Sequence, residues 1–231
     1  MRNKSKRCAL LLAIGVLFGV TGVAQTVAPP VAEYHGKASG SFELRNDGDV
    51  PLAAILEVHG FTVDEKGTLL YHELDPNLKV EIGQTSFVIP PHESHYVFYK
   101  ATSSSPQSWF SVLSTMTRTV NQPGQLRINF VLPHVVYIYQ KQKLKKDDVS
   151  VSLTPGKTAG EYTVEVQNHS DKLSRVESVT GDGFEKTVEV GGFPIFPEKN
   201  RQVVIKGGTP SAKAKVKVSF EDGFSIQVPL T

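Results

Sequence analysis

No stretch of this chain keeps a 3.6-residue apolar period over three helical turns, which removes helical layers from the folds available to it. Short runs rich in Val, Ile, Phe, Tyr and Thr recur instead, several with the period-2 alternation of a half-buried strand. In the first half they are Ser41 to Leu44, Ala53 to Phe61, Ser86 to Ile89, Tyr96 to Tyr99, Trp109 to Val120, Leu126 to Leu132 and Val135 to Tyr139. In the second half they are Val149 to Leu153, Glu161 to Val166, Thr187 to Val190, Gln202 to Ile205, Ala214 to Phe220 and Phe224 to Val228. Turn clusters separate them, among them Asn46-Asp47-Gly48-Asp49, Asp64-Glu65-Lys66-Gly67, Asn121-Gln122-Pro123-Gly124, Asp182-Gly183 and Asp222-Gly223. The expected class is all-β, and the strand spacing points to immunoglobulin-like sandwiches.

The 231 residues suffice for two such sandwiches, and the halves share landmarks. Glu43 to Asp49 matches Glu165 to Asp171, a strand running into an Asn-initiated turn. Phe87 to Lys100 parallels Phe193 to Lys206, a Pro-marked turn followed by a strand ending in Lys. From Asn46 to Pro91 is 45 residues, whereas from Asn168 to Pro197 is 29, so an insertion or an extra hairpin is expected in the first sandwich. The expected layout is a leader over residues 1–24, a first sandwich over 25–140, a charged connector over 141–148 and a second sandwich over 149–231. The connector carries Lys141, Lys143, Lys145 and Lys146 and no Gly, so a stiff joint is expected.

Arg2, Lys4, Lys6 and Arg7 precede the apolar run Cys8 to Val20, and Gly22-Val23-Ala24 offers a cleavage point; this reads as an export signal. The alternative, an uncleaved membrane anchor, needs about 20 apolar residues, more than the run supplies. Ser5 stands where a lipidation signal places Leu before Cys8. Removal of the leader takes four basic residues and the one Cys, leaving 21 basic against 23 acidic residues, a formal charge of −2. A near-neutral, cysteine-free exported chain gives no reason to expect nucleic acid, a thiol nucleophile or a Cys-based zinc site.

Other chemistry finds little support. Gly156-Lys157-Thr158 lacks the Gly that a phosphate-binding loop needs, since Val151 occupies that place. His92 and His95 flank Glu93, and His72 stands near Glu73 and Asp75, without a third convergent ligand; a tight turn with solvent-exposed His is the expected state. No nucleophile elbow occurs. Asn168-His169-Ser170 is a glycosylation sequon that matters only in a eukaryotic secretory route. The reading is a non-enzyme without metal or cofactor.

FELRNDGDVP (Phe42 to Pro51), PPHESHYVFYK (Pro90 to Lys100), SPQSWFSVLSTMTR (Ser105 to Arg118) and LRINFVLPHVVYIYQK (Leu126 to Lys141), in this order behind an export signal, resemble the periplasmic pilus-assembly chaperones of the chaperone–usher pathway. The resemblance covers most of residues 30–141 and, more weakly, the Asn168 and Pro197 landmarks. It implies two immunoglobulin-like sandwiches, a periplasmic location, an exported pilus-type subunit as partner, an outer-membrane usher as a possible second one, and a monomer when free. It also implies a mechanism, in which the last strand of the first sandwich completes the subunit's fold by β-augmentation.

On this chain the implied donor residues are Leu126, Ile128, Phe130 and Leu132, with Arg127 and Asn129 on the opposite face. The pattern alone is also met by a strand that points these four into its own core. Pro133 favours an edge, because a ladder tolerates proline only at edges and bulges. The family's carboxylate-anchoring Arg and Lys fall near Pro30 and Val136, neither of which can hold a carboxylate. Lys141, Lys143 and Arg127 are the candidate substitutes. A structural or adhesive tandem-sandwich module, on the cell surface or in the extracellular space and contacting its partner through loops, is the alternative reading.

Overall fold

The computed structural model describes residues 25–119, 129–186 and 188–230. The expected export signal therefore lies outside the described residues. Strands β1 (Thr26–Ala28), β2 (Val31–His35), β3 (Ala38–Arg45), β4 (Leu52–Val63), β5 (Leu69–His72), β6 (Leu78–Ile82), β7 (Ser86–Ile89), β8 (Ser94–Ser103), β9 (Ser108–Arg118) and β10 (Asn129–Tyr139) build the first sandwich. One of its sheets runs β1-β3-β8-β6; the other runs β2-β10-β9-β4-β5, with β7 also paired to β4. After a short 3₁₀ turn at Lys146–Asp148 come β11 (Val149–Pro155), β12 (Glu161–Asn168), β13 (Ser174–Phe184), β14 (Val188–Ile195), β15 (Asn200–Lys206), β16 (Pro210–Phe220) and β17 (Ser225–Pro229). These form sheets β11-β12-β15 and β14-β13-β16-β17. The chain thus folds as two β-sandwiches.

Alternation builds both cores. On β8, Val97, Tyr99 and Ala101 are buried while Tyr96, Phe98 and Lys100 face solvent. The inner faces meet in one cluster that includes Phe42, Leu44, Leu56, Phe110, Val112, Met116, Val136 and Ile138. The second cluster holds Val164, Val166, Val176, Val216, Val218 and Phe220, and it takes in Leu144 from the connector. The connector is therefore anchored by its one large apolar residue while its lysines stay at the surface.

The two Asn landmarks do the same work in each half. The Asn46 side-chain amide donates to the carbonyls of Val50, Ile89 and Pro90 at 2.9, 3.1 and 3.0 Å, and its Oδ1 accepts from Gly48 N–H at 3.0 Å. The Asn168 amide donates to Lys172 O at 2.7 Å and Phe196 O at 3.1 Å, and its Oδ1 accepts from Ser170 N–H at 3.0 Å. Each Asn ties its own turn to the Pro turn that faces it. In those Pro turns the third residue is left-handed, His92 at φ 60° and Glu198 at φ 55°. Proline at the second position sets up such a turn, and the third position favours Gly or Asn. His92 accordingly sits exposed in a turn, whereas His95 lies on β8, half-buried, its ring stacked on Phe87 at 3.7 Å, because the strand already starts at Ser94.

The expected extra hairpin is the β4–β5 excursion, whose turn packs on the second sandwich. Gly67 closes that turn beside the Arg201 guanidinium at φ 90°, a left-handed conformation that favours glycine. Arg201 Nη1 and the Gln202 backbone N–H both donate to Glu65 O, at 3.2 and 2.7 Å.

Several expectations need correction. β1, β2, β5, β6 and β13 are strands that the pattern did not predict. Asp182-Gly183 lies inside β13 rather than between strands, because the ladder with β16 absorbs it as an irregularity between Asp182 and Phe184. From Asn129 to Tyr139 the described residues on either side of Pro133 form one continuous strand, β10.

Candidate partner-binding edge and the adjoining cleft

β10 is paired along its whole described length on one side, from Asn129 opposite Thr117 to Ile138 opposite Ser108 on β9. Its other side is shared with β2, in parallel, only from Val135 to Tyr139. Among the described residues, Asn129 to His134 have no strand on that side. A strand edge of this kind carries unpaired N–H and C=O groups that another chain can use.

Phe130 and Leu132 point toward the core side, in line with Val136 and Ile138, and stay half-buried against the first core. Val131, on the opposite face, is 54% exposed. The structure therefore places two of the four candidate donor residues between the alternatives, packed on their own core yet at an open edge. Leu126, Arg127 and Ile128 lie outside the described residues.

The residue next in line with Phe130 and Leu132 is His134, which is fully buried. Its ring stacks on Phe42 with centroids 4.4 Å apart. Its Nδ1 lies 2.7 Å from Pro29 O and its Nε2 lies 3.2 Å from the Tyr99 hydroxyl. Tyr99 in turn shares a 2.9 Å hydrogen bond with the Tyr34 hydroxyl. Burial depresses the His134 pKa, outweighing the carbonyl of Pro29, and burial raises that of Tyr99. The neutral tautomer that donates from Nδ1 to Pro29 O and accepts at Nε2 from Tyr99 satisfies the whole chain of bonds. This network pins the point where the first strand crosses from one sheet to the other.

Beyond Val135 the outer face of β10 looks across to the second sandwich. Val135, Tyr137 and Tyr139 join Phe61, Leu173 and Phe196 in a third buried cluster, with Trp109 against it. Trp109 Nε1–H donates to Phe61 O at 2.7 Å, and its ring meets Phe196 at 4.9 Å. Gln140 clips the joint by donating to Leu173 O at 2.9 Å and accepting from Leu173 N–H at 3.2 Å. Glu33 Oε1 accepts from the Tyr139 hydroxyl at 2.9 Å and from Arg175 Nη1 at 3.0 Å. Burial raises the pKa of both tyrosines, Tyr137 to about 12, so Tyr139 keeps the proton it donates.

Val136, the counted anchor position, is buried in the first core and faces away from this cleft. The cleft-facing positions beside it are Val135 and Tyr137, shifted by one residue and therefore on the other face of the strand. Pro30 supplies only its carbonyl, to Val135 N–H at 2.9 Å. Lys141 and Lys143 line a hollow of about 400 Å³ at the joint, together with Tyr139, Ser174, Glu221 and Asp222. The cation that reaches into the cleft from the second sandwich is Arg175, which sequence inspection passed over. Its signal was faint, a lone Arg on a strand broken by glycines. Glu33 and His134 were equally unremarked, although His134 continues the period-2 row of Phe130 and Leu132.

No family model matches the sequence, and no curated protein matches it either. Solved structures do match. The YadV chaperone aligns at 13% identity over 89% of this chain and 98% of that one, with a TM-score of 0.53. The class 5 fimbriae chaperone CfaA aligns at 11% identity over 90% and 100%, with a TM-score of 0.53. The SafB chaperone, solved in complex with the Salmonella enterica SafA pilin, aligns at 12% identity over 90% and 97%, with a TM-score of 0.53. The chain has the two-sandwich fold of these fimbrial and pilin chaperones, the fold that its sequence resemblance implied.

Proposed function

We propose that this protein is a periplasmic, non-enzymatic chaperone-like protein that binds an exported pilus-type subunit by lending it the open edge of β10. The observation that carries the reading is the edge from Asn129 to His134, with Phe130 and Leu132 half-exposed beside it. A guest strand laid there gains backbone hydrogen bonds from the edge and side-chain fit from the apolar row. The neighbouring structure of a chaperone with a pilin supports a subunit as the partner, and the export signal read over residues 1–24 supports a periplasmic location. Lys141 and Lys143 at the joint, together with Arg127, are the groups we assign to hold the subunit's terminal carboxylate, and an usher is the second partner.

The test is co-production with a pilin subunit in a periplasmic expression host, followed by co-purification. Phe130→Asp and Ile128→Asp are expected to reduce capture at least about tenfold, because a carboxylate on the apolar row costs several kcal/mol to bury in the joint sheet. Folding is checked by Trp109 emission. Undiminished capture by folded variants would refute strand donation and favour a module that binds through loops.

A further inference from the structure

The β2–β10 ladder stops abruptly, and the residues at its end account for the stop. Val135 N–H donates to Pro30 O at 2.9 Å, with Val135 opposite Val31 in a parallel register. In a parallel ladder one residue donates to the residue before its partner and accepts from the residue after it, and this repeats every two residues. The next rung toward the amino terminus therefore needs Pro133 N–H donating to Ala28 O, and Pro30 N–H donating to Pro133 O. Both donors are prolines, which have no N–H. One rung has lost both of its bonds, and the strand that could have continued along β10 instead pairs with β3 as β1, Thr26 to Ala28 opposite Arg45 to Glu43.

We propose that Pro30 and Pro133 act together as a stop that keeps the chain's own first strand off the Asn129–Pro133 edge of β10, holding that edge open for a partner's strand. The use of the edge by a partner rests on the strand-donation reading; the stop itself does not. Val131 and Asn129 share the outward direction of Val135, so among the described residues no strand takes their N–H groups or the carbonyls of Asn129, Val131 and Pro133, which are left for a guest. Pro133 leaves the guest an acceptor while denying the first strand a donor. These two prolines are positioning residues.

The test is amide hydrogen exchange on the free full chain, followed by NMR. In the wild type, Val131 N–H is expected to exchange at least about tenfold faster than Phe130 and Leu132 N–H, which point into β9. Replacing both prolines, Pro30→Val with Pro133→Val, restores the two donors; the Val131 amide is then expected to slow at least about tenfold, and the new amide at position 133 to be protected. A wild-type Val131 as protected as Leu132 overturns the proposal. So does a double variant, folded by Trp109 emission, whose Val131 still exchanges freely. Pilin co-purification separates the two readings: a double variant that gains protection yet captures pilin like the wild type upholds the stop and overturns strand donation, whereas gained protection with lost capture upholds both.

Discussion

Replacing Asn46 by Ala tests whether one buried amide holds the first sandwich's turn to the Pro turn facing it. The side chain is fully buried, and its amide group reaches three carbonyls, of Val50, Ile89 and Pro90, while its oxygen receives Gly48 N–H. Two amide protons serve three acceptors, so the loss is two to three donated bonds and one accepted. At about 0.5–1.5 kcal/mol net per bond, the expected cost is about 1.5–6 kcal/mol. Urea unfolding followed by Trp109, the chain's only Trp, reads the transition from β9 of the same sandwich. With a slope of about 1–3 kcal/mol per molar urea, the midpoint should fall by about 0.5 M or more. Asn46→Asp sharpens the test, because it keeps the acceptor for Gly48 but turns a carboxylate oxygen toward carbonyl oxygens. It should cost at least as much as Ala. A cost below about 0.5 kcal/mol for Asn46→Ala, within the range of an ordinary surface change, would refute the reasoning. An Asp variant more stable than the Ala variant would refute it as well.

Two further outcomes are expected. Phe196→Ala removes the ring that touches Trp109, Phe61 and Tyr137; it should cost about 3–5 kcal/mol and shift Trp109 emission to the red, and an unchanged spectrum would show that the joint is not packed through this ring. His134 is held below its ordinary value of 6.5 chiefly by burial, so as pH falls the unfolded chain binds the proton first. Its stabilising contribution is complete above the unfolded value and is lost as pH falls from there toward the folded value, by at most about 1.4 kcal/mol per pH unit. The His134→Gln variant should show a shallower fall between about pH 7 and pH 5, and parallel stability curves for the two proteins would contradict this linkage.

The period-2 runs, the turn clusters and the paired Asn and Pro landmarks determined the all-β class and the two-sandwich fold. These signals are local: alternation records which face of a strand is buried, and a turn residue acts on its own few neighbours. Even the edge character of part of β10 was legible, because Pro133 lacks a donor wherever it stands. Which strand lies beside which is a different kind of fact, decided by bonds between residues about a hundred positions apart. β13 escaped notice because Asp182-Gly183 read as a turn, and only the ladder with β16 shows that the strand runs through it. Val136 was counted as a cleft position, yet one residue of register puts it in the core and Tyr137 in the cleft. Pro30 looked like a missing anchor, and only its place opposite β10 shows that it removes a rung. Glu33 and Arg175 become a pair only when two sandwiches meet. Sequence determined the repertoire of strands and turns, and tertiary structure decided which edge stayed open, because pairing and register arise from long-range contacts that no local pattern encodes.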